Sequence, residues 1–261
     1  MYQNRDLGIN HIRARKNSIA SGMGLGIMLL DDIYPAFPGD VRNPSAFPYP
    51  IQYEIAEGVD NYTLLWAEDK SPCLEPIKRA AKKLERMGCR AIAAECGYFS
   101  YFQQDIAGYV DVPVFMSSLL QVPFAQQLIG PNKSVGIMCA HKKFLTDAHL
   151  KNVGIDPDSN LVIVGVQDEY ECPQFDLLWN PEKRSEVPQC YFDEAQKDMV
   201  KISKDFCKTN PQVGAILLEC TGFQPFARAI QREVDLPIFS WGTLLDYAYS
   251  VVAHREYYGH I

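Results

Sequence analysis

The sequence lacks most of the signatures that would assign a protein at sight. Its eight cysteines, at positions 73, 89, 96, 139, 172, 190, 207 and 220, include no C-x-x-C pair, and its five histidines form no helical ligand pair. A zinc site is therefore not expected, and no metal ligand is assigned. No G-x-G-x-x-G follows a strand-like run and no P-loop is present, which excludes the common phosphate cradles, and no cofactor is expected. No stretch approaches the ~20 apolar residues that span a bilayer. The first apolar run, after an N-terminus with scattered charge, is too short to be a signal-peptide core followed by a cleavage site. A cytoplasmic protein with no membrane partner is expected. Positive charge is scarce as well: 25 Lys and Arg against 32 Asp and Glu give a net charge of −7, which argues against nucleic acid and favours a small molecule as partner. In that compartment most of the cysteines are expected to be small buried side chains rather than disulfides.

What is present is enough chain, 261 residues of which 47% are apolar, to bury a sizeable core. "GLGIMLL" (24–30) reads as a buried strand, and the five prolines of "YPAFPGDVRNPSAFPYP" forbid regular structure after it. "IQYEIAEG" follows as a second strand. "SPCLEPIKRAAKKLERMG" places Leu74, Ile77, Ala81 and Leu84 on one face and closes at Gly88, as an amphipathic helix does. "CRAIAAEC" is a buried strand, "SYFQQDIAGYV" a helix and "VPVFMSS" a strand. At 133–140 the chain restarts with "KSVGIMCA", followed by a helix in "KKFLTDAHLKNVG" and a strand in "NLVIVGV". Residues 168–190, polar and interrupted by proline, read as a long surface loop; then come a helix, "YFDEAQKDMVKISKDFCKTN", and a strand, "GAILLEC". Strands that alternate with helices imply parallel sheets in an α/β layer fold.

The second strand-and-turn repeats the first. At a constant offset of 124, residues 91–120 and 215–244 are identical at Ala91/Ala215, Ile92/Ile216, Glu95/Glu219, Cys96/Cys220, Phe99/Phe223, Phe102/Phe226, Ile106/Ile230, Val110/Val234, Asp111/Asp235, Pro113/Pro237, Phe115/Phe239 and Leu120/Leu244. Twelve identities in thirty ungapped positions point to two pseudo-symmetric Rossmann-like halves, each a mostly parallel sheet flanked by helices, with the site in the cleft between them. The expected organisation is an extension over 1–23, a first half over 24–130, a second half over 131–240, and a C-terminal helix over 241–261 that packs back on the first half.

Ligands of open α/β sheets sit at the carboxyl ends of strands, where Cys96 and Cys220 both fall. Each cysteine also precedes a helix, whose N-terminus is expected to lower a thiol pKa and to hold a carboxylate. A thiol on either side of a bound carboxylate is a device for two-base proton transfer.

With its cysteine pair and the stretches "PAFPGDVRNPSAFPYPIQYEIAEG", "ECGYFSYFQ", "PVFMSSLLQVP", "VGIMCA" and "LLECTGFQPFA", the chain resembles the aspartate/glutamate/hydantoin racemase superfamily from about residue 24 to 245. The resemblance implies a cofactor-independent racemase or epimerase of an amino acid or related α-substituted carboxylate. In it Cys96 and Cys220 are acid and base and Thr221 is a carboxylate ligand; it also implies a homodimer. Many amino-acid racemases of the superfamily carry Asn after the first cysteine and His or Glu after the second Cys-Thr. Here those places hold Gly97 and Gly222, which points away from an ordinary aspartate or glutamate substrate. The superfamily also includes algal dimethylsulfoniopropionate lyases, which "PVFMSSL" resembles, and β-elimination is the alternative activity.

On either reading the substrate-binding candidates are Gly97, Tyr98, Ser117, Ser118, Thr221 and Gly222, whose amides and hydroxyls would meet the developing enolate. Ser117 and Ser118 also suit helix N-caps. Glu95, Glu219, Asp40 and Trp241 are supporting candidates. The two glutamates interrupt apolar strands, where they orient a thiol, bind a substrate cation or cap backbone. Tyr98, Tyr101 and Trp241, which do not recur in the other half, suit an apolar or cation-binding wall.

Overall fold

The computed structural model describes residues 14–180, 182–255 and 257. The expected extension over 1–23 and the end of the 241–261 helix lie partly outside these residues. Two four-stranded sheets form, all strands parallel within each. In the first, β1 (Leu25–Leu30), β2 (Ile51–Ala56), β3 (Ala91–Ala94) and β4 (Val114–Phe115) take the order β2-β1-β3-β4. In the second, β5 (Ser134–Cys139), β6 (Leu161–Gly165), β7 (Val213–Leu218) and β8 (Ile238–Phe239) repeat it as β6-β5-β7-β8.

The repeat holds bond by bond. The amide of Glu95 donates to Met28 O at 3.0 Å and that of Glu219 to Met138 O at 2.9 Å; Ile92 N donates to Pro113 O and Ile216 N to Pro237 O, both at 2.9 Å. Phe99, Phe102 and Ile106 are buried, and so are their counterparts Phe223, Phe226 and Ile230. Burying one such side chain stabilises by about 1.5–3 kcal/mol, so these buried repeated positions are accounted for by packing.

The helices cover the sheets as alternation along the strands requires. Met28, Leu30, Ile92 and Ala94 face α1 (Ser71–Arg86), whose Ile77, Ala81 and Leu84 are buried, while Leu25, Ile27, Ala91 and Ala93 face α9 (Trp241–Val252) through Trp241, Leu244, Leu245 and Ala248. The C-terminal helix therefore packs on the first sheet. Val135, Ile137 and Cys139 of β5 join the first half's core, and α7 (Phe192–Thr209) covers the opposite face of the second sheet with Met199, Ile202 and Phe206.

The local expectations need two corrections. The helix expected over 100–110 is a 3-10 turn, Gly97–Phe102, that passes into the short α2 (Gln103–Ala107); the second half matches it with a 3-10 turn at Thr221–Phe226 before α8 (Ala227–Val234). The expected surface loop over 168–190 contains a helix, α6 (Pro173–Trp179), with Gln174, Phe175 and Leu178 buried. Proline there starts a helix instead of breaking one, because the first-turn amide it lacks has no intrahelical partner. The remaining α-helices are α3 (Val122–Ile129), α4 (Asp147–Asn152) and the single turn α5 (Val166–Glu169); among the described residues no helix is long and apolar enough to cross a membrane.

Candidate active site

Strand pairing places the two Glu-Cys dipeptides immediately beyond the carboxyl ends of β3 and β7, where Ala94 pairs with Met28 and Leu218 with Met138. Both cysteines line one pocket, together with Leu30, Tyr34, Trp66, Glu95, Tyr98, His141, Gln167, Trp179, Glu219 and Thr221. Strands from both halves thus deliver a thiol to one cavity.

The thiol chemistry differs from the expectation. Both cysteines are held well above the ordinary thiol range, first by burial and next by the charge of Glu219. The amide of Tyr98 on Cys96, and those of Gly222 and Phe223 on Cys220, oppose this only partly. Each cysteine stands at the N-terminus of a 3-10 turn that continues into a helix, and the amides there do not outweigh desolvation.

The two glutamates have unlike surroundings. Glu95 accepts from Arg42 Nε at 2.9 Å, from Arg42 Nη2 at 2.8 Å and from Tyr34 Oη at 2.9 Å. Arg42 also donates to the carbonyls of Leu30 and Asp32 and lies 4.1 Å above the Tyr34 ring. Burial raises the Glu95 pKa to about 7 against the pull of this arginine. Glu219 is fully buried, and among the described residues neither of its carboxylate oxygens has a hydrogen-bond partner of ordinary geometry. Burial pushes it up to about 8, with the amide of Ala140 opposing. A buried carboxylate without a cation resists ionisation because nothing makes up for its lost hydration.

Glycine follows each cysteine or Cys-Thr because other side chains already occupy the space. A Cβ on Gly97 would overlap the Glu219 carboxylate, and one on Gly222 would overlap the six-membered ring of Trp179. The two departures from the racemase pattern therefore have physical substitutes: a carboxylate from the other half at one, an indole from α6 at the other.

The other candidates divide. Tyr98 and Thr221 line the pocket. The Tyr98 hydroxyl exchanges hydrogen bonds with the His141 backbone, donating to O at 2.8 Å and accepting from N at 2.9 Å. Ser117 and Ser118 do not line it. Ser117 caps the turn Ser118–Gln121 by accepting from Leu119 N, and Ser118 Oγ donates to Leu218 O at 3.0 Å. Trp241 is also behind the wall, with Nε1 donating to Glu219 O at 2.7 Å. Ser118 and Trp241 thus pin the end of β7, so the expectation of direct substrate contact is corrected to one of positioning. Asp40 is buried outside the pocket, accepts from Arg42 N, and has its pKa raised to about 6 by burial. Tyr101 packs against Phe102 and His149. Cys139 donates to Val164 O and is packing.

Residues not foreseen are Arg42, Trp66, His141, Gln167 and Trp179. Trp179 stacks on Phe175 at 5.4 Å and meets Tyr34 edge-on at 5.6 Å. The chain has three tryptophans; two line the pocket and the third bonds its floor, so their rarity was the available signal.

The solved structure of arylmalonate decarboxylase superposes over 90% of this chain and 94% of its own, with a TM-score of 0.56 at 13% identity. The aspartate racemase of Picrophilus torridus gives 0.55 at 15% identity over 91% of this chain and 96% of its own. This is the fold of the aspartate/glutamate/hydantoin racemase superfamily. Within that fold, the sequence is 30% identical over 82% of its length to dimethylsulfoniopropionate lyase 7 of Emiliania huxleyi, and 29% identical over 82% to a dimethylsulfoniopropionate lyase of Durusdinium sp. clade D. The chain spans 63% of the first relative and 70% of the second. No family model matches the chain.

Proposed function

We propose that the protein is a cofactor-independent lyase that eliminates a cationic leaving group from the β-carbon of a small carboxylate, with dimethylsulfoniopropionate as the substrate suggested by the names of its relatives. The observation that carries this reading is the charge of the pocket: two thiols and two glutamates line it, but among the described residues no lysine or arginine does. With only the protein's own groups around them, both thiols favour the protonated form. A substrate that brings its own positive charge offsets Glu219 and makes a thiolate accessible when it is needed.

The step balances without a co-reactant. A cysteine thiolate takes the proton α to the carboxylate, forming S–H as C–H breaks. The released pair forms the Cα–Cβ double bond, the Cβ–S bond breaks, and its electrons leave on sulfur as neutral dimethyl sulfide. Acrylate remains, and the thiol returns one proton to solvent. The Thr221 hydroxyl and the amides of the two Glu-Cys turns are suited to hold the carboxylate while charge develops on it.

Headspace gas chromatography of the protein with dimethylsulfoniopropionate tests this. Release of dimethyl sulfide, reduced ~10³-fold by replacing the cysteine that acts as base, supports the lyase; no release from wild type overturns it. Amino-acid racemisation is a second reading, favoured by the retention of two thiols where elimination needs one base. In heavy water it would place deuterium at the α-carbon of an intact amino acid without an alkene product.

A further inference from the structure

We propose that Glu219 and the aromatic wall formed by Tyr34, Trp66, Tyr98 and Trp179 are the seat of an alkylated onium group, making Glu219 the specificity residue for sulfonium or quaternary ammonium carboxylates over primary amines. This rests on the lyase reading for the identity of the substrate, but the seat is argued from its own chemistry.

The arginine of the site is already committed. It neutralises Glu95 through two hydrogen bonds, with Tyr34 adding a third. The equivalent carboxylate in the other half has no such partner and is fully buried against the cavity. The basic group that lines the pocket, the His141 imidazole, is held by Asp168 through Nδ1 at 2.7 Å. A buried carboxylate at a cavity wall with no cation beside it is costly to ionise unless a ligand supplies the missing charge.

The rest of the wall decides which cation. A primary ammonium presents three N–H donors and needs an acceptor for each; Glu95 is taken by Arg42 and Tyr34, and the pocket's unpaired acceptors are the Glu219 carboxylate and Gln167 Oε1. A methylated sulfonium or ammonium has no donor; it asks for diffuse negative charge and apolar contact, which aromatic faces and one carboxylate provide. Trp179 is fixed for this role by Phe175 and Tyr34, and Gly222 leaves room for its ring.

The test compares three ligands of one length by titration calorimetry: 3-(trimethylammonio)propionate, its uncharged carbon isostere 4,4-dimethylpentanoate, and 3-aminopropionate. Wild type and the Cys96→Ala/Cys220→Ala variant are expected to bind the trimethylammonium compound at least tenfold more tightly than either of the others. Glu219→Gln is expected to bind it no better than the isostere, and Trp179→Leu to lose part of the preference while keeping its fold by circular dichroism. Equal binding of the isostere by wild type, or no binding of any of the three, overturns the onium seat. Tighter binding of 3-aminopropionate overturns the assigned class of cation. Dimethyl sulfide release is scored separately, so selective onium binding without turnover would sink the lyase reading and leave the seat standing.

Discussion

The twin Glu-Cys turns are alike in backbone and opposite in electrostatics. Each begins one residue past a central strand, with the same amide-to-carbonyl bond back to the neighbouring strand. Yet Glu95 is clasped by Arg42 and Tyr34, while Glu219 has neither partner. Duplication thus supplied two equivalent thiol positions, and the loops around them made the positions unequal. The lesson is that pseudo-symmetry of main chain does not carry over to charge, which depends on side chains outside the repeat such as Arg42 in the Pro-rich loop.

The largest expected effect breaks the comparison at the sulfurs. A two-base racemase needs both thiols, so Cys96→Ser and Cys220→Ser would each cost ~10³-fold in turnover. Elimination asks for one base, so on the lyase reading one substitution is expected to cost ~10³-fold and the other less than about tenfold. Steady-state rates of dimethyl sulfide release on the two variants decide it, and equal losses would count against the elimination mechanism.

The next effect is on stability. Arg42→Ala would leave Glu95 buried without its cation, a change that costs about 3–5 kcal/mol and lowers Tm by roughly 10 °C in a chain of this size. Glu95→Gln in the same background is expected to restore most of that loss, because it removes the stranded charge. A scanning-calorimetry Tm unchanged by Arg42→Ala would show that the clasp contributes nothing.

A smaller effect should follow from adding one methyl group in each turn. Gly97→Ala would displace the Glu219 carboxylate, and Gly222→Ala would displace Trp179. Both are expected to lower turnover about 10- to 100-fold, since a misplacement near 1 Å is enough for that. The distinction lies in binding: Gly97→Ala should weaken the preference for charged over uncharged ligand, whereas Gly222→Ala should weaken both together. If Gly97→Ala leaves the charge preference intact, the Glu219 carboxylate does not depend on the space at residue 97.

The sequence made the repeat legible because packing is local: the identities that recur, such as Phe99/Phe223 and Ile106/Ile230, are those that fill equivalent places beside equivalent strands. It also made Cys96 and Cys220 legible, since a strand end can be read from an apolar run. Trp66 and Trp179, which line the pocket, and Arg42, which holds Glu95 from behind it, were not legible, because each comes from a segment without a counterpart in the repeat. Pro173 concealed α6, and with it Trp179. Ser117, Ser118 and Trp241 were placed too close to the substrate, because a residue after a strand can either face the cleft or tie down its floor, and the one-dimensional pattern is the same.

The gentlest way to sharpen the comparison is to titrate it. The Glu219 pKa rises from 4.5 to about 8 in the folded protein because of burial, so between those values the native state binds a proton that the unfolded chain has released. Stability then falls as pH rises across that window, by a few kcal/mol in all, since each pH unit within it contributes about 1.4 kcal/mol. The groups that feel Glu219, the thiols of Cys96, Cys220 and Cys139 and the Tyr98 hydroxyl, are all pushed well above their ordinary values and stay neutral throughout. Glu95, raised to about 7, and Asp40, raised to about 6, contribute slopes of the same sign, and these cancel when wild type is compared with Glu219→Gln. Denaturation midpoints from pH 5 to 9 should therefore show the variant gaining on wild type as pH rises, with the difference levelling off above about pH 8. Saturating 3-(trimethylammonio)propionate should flatten that gain, because a cation beside Glu219 offsets the cost of ionising it. A difference that does not depend on pH would mean that Glu219 ionises without any bound cation and that its missing partner is supplied by solvent.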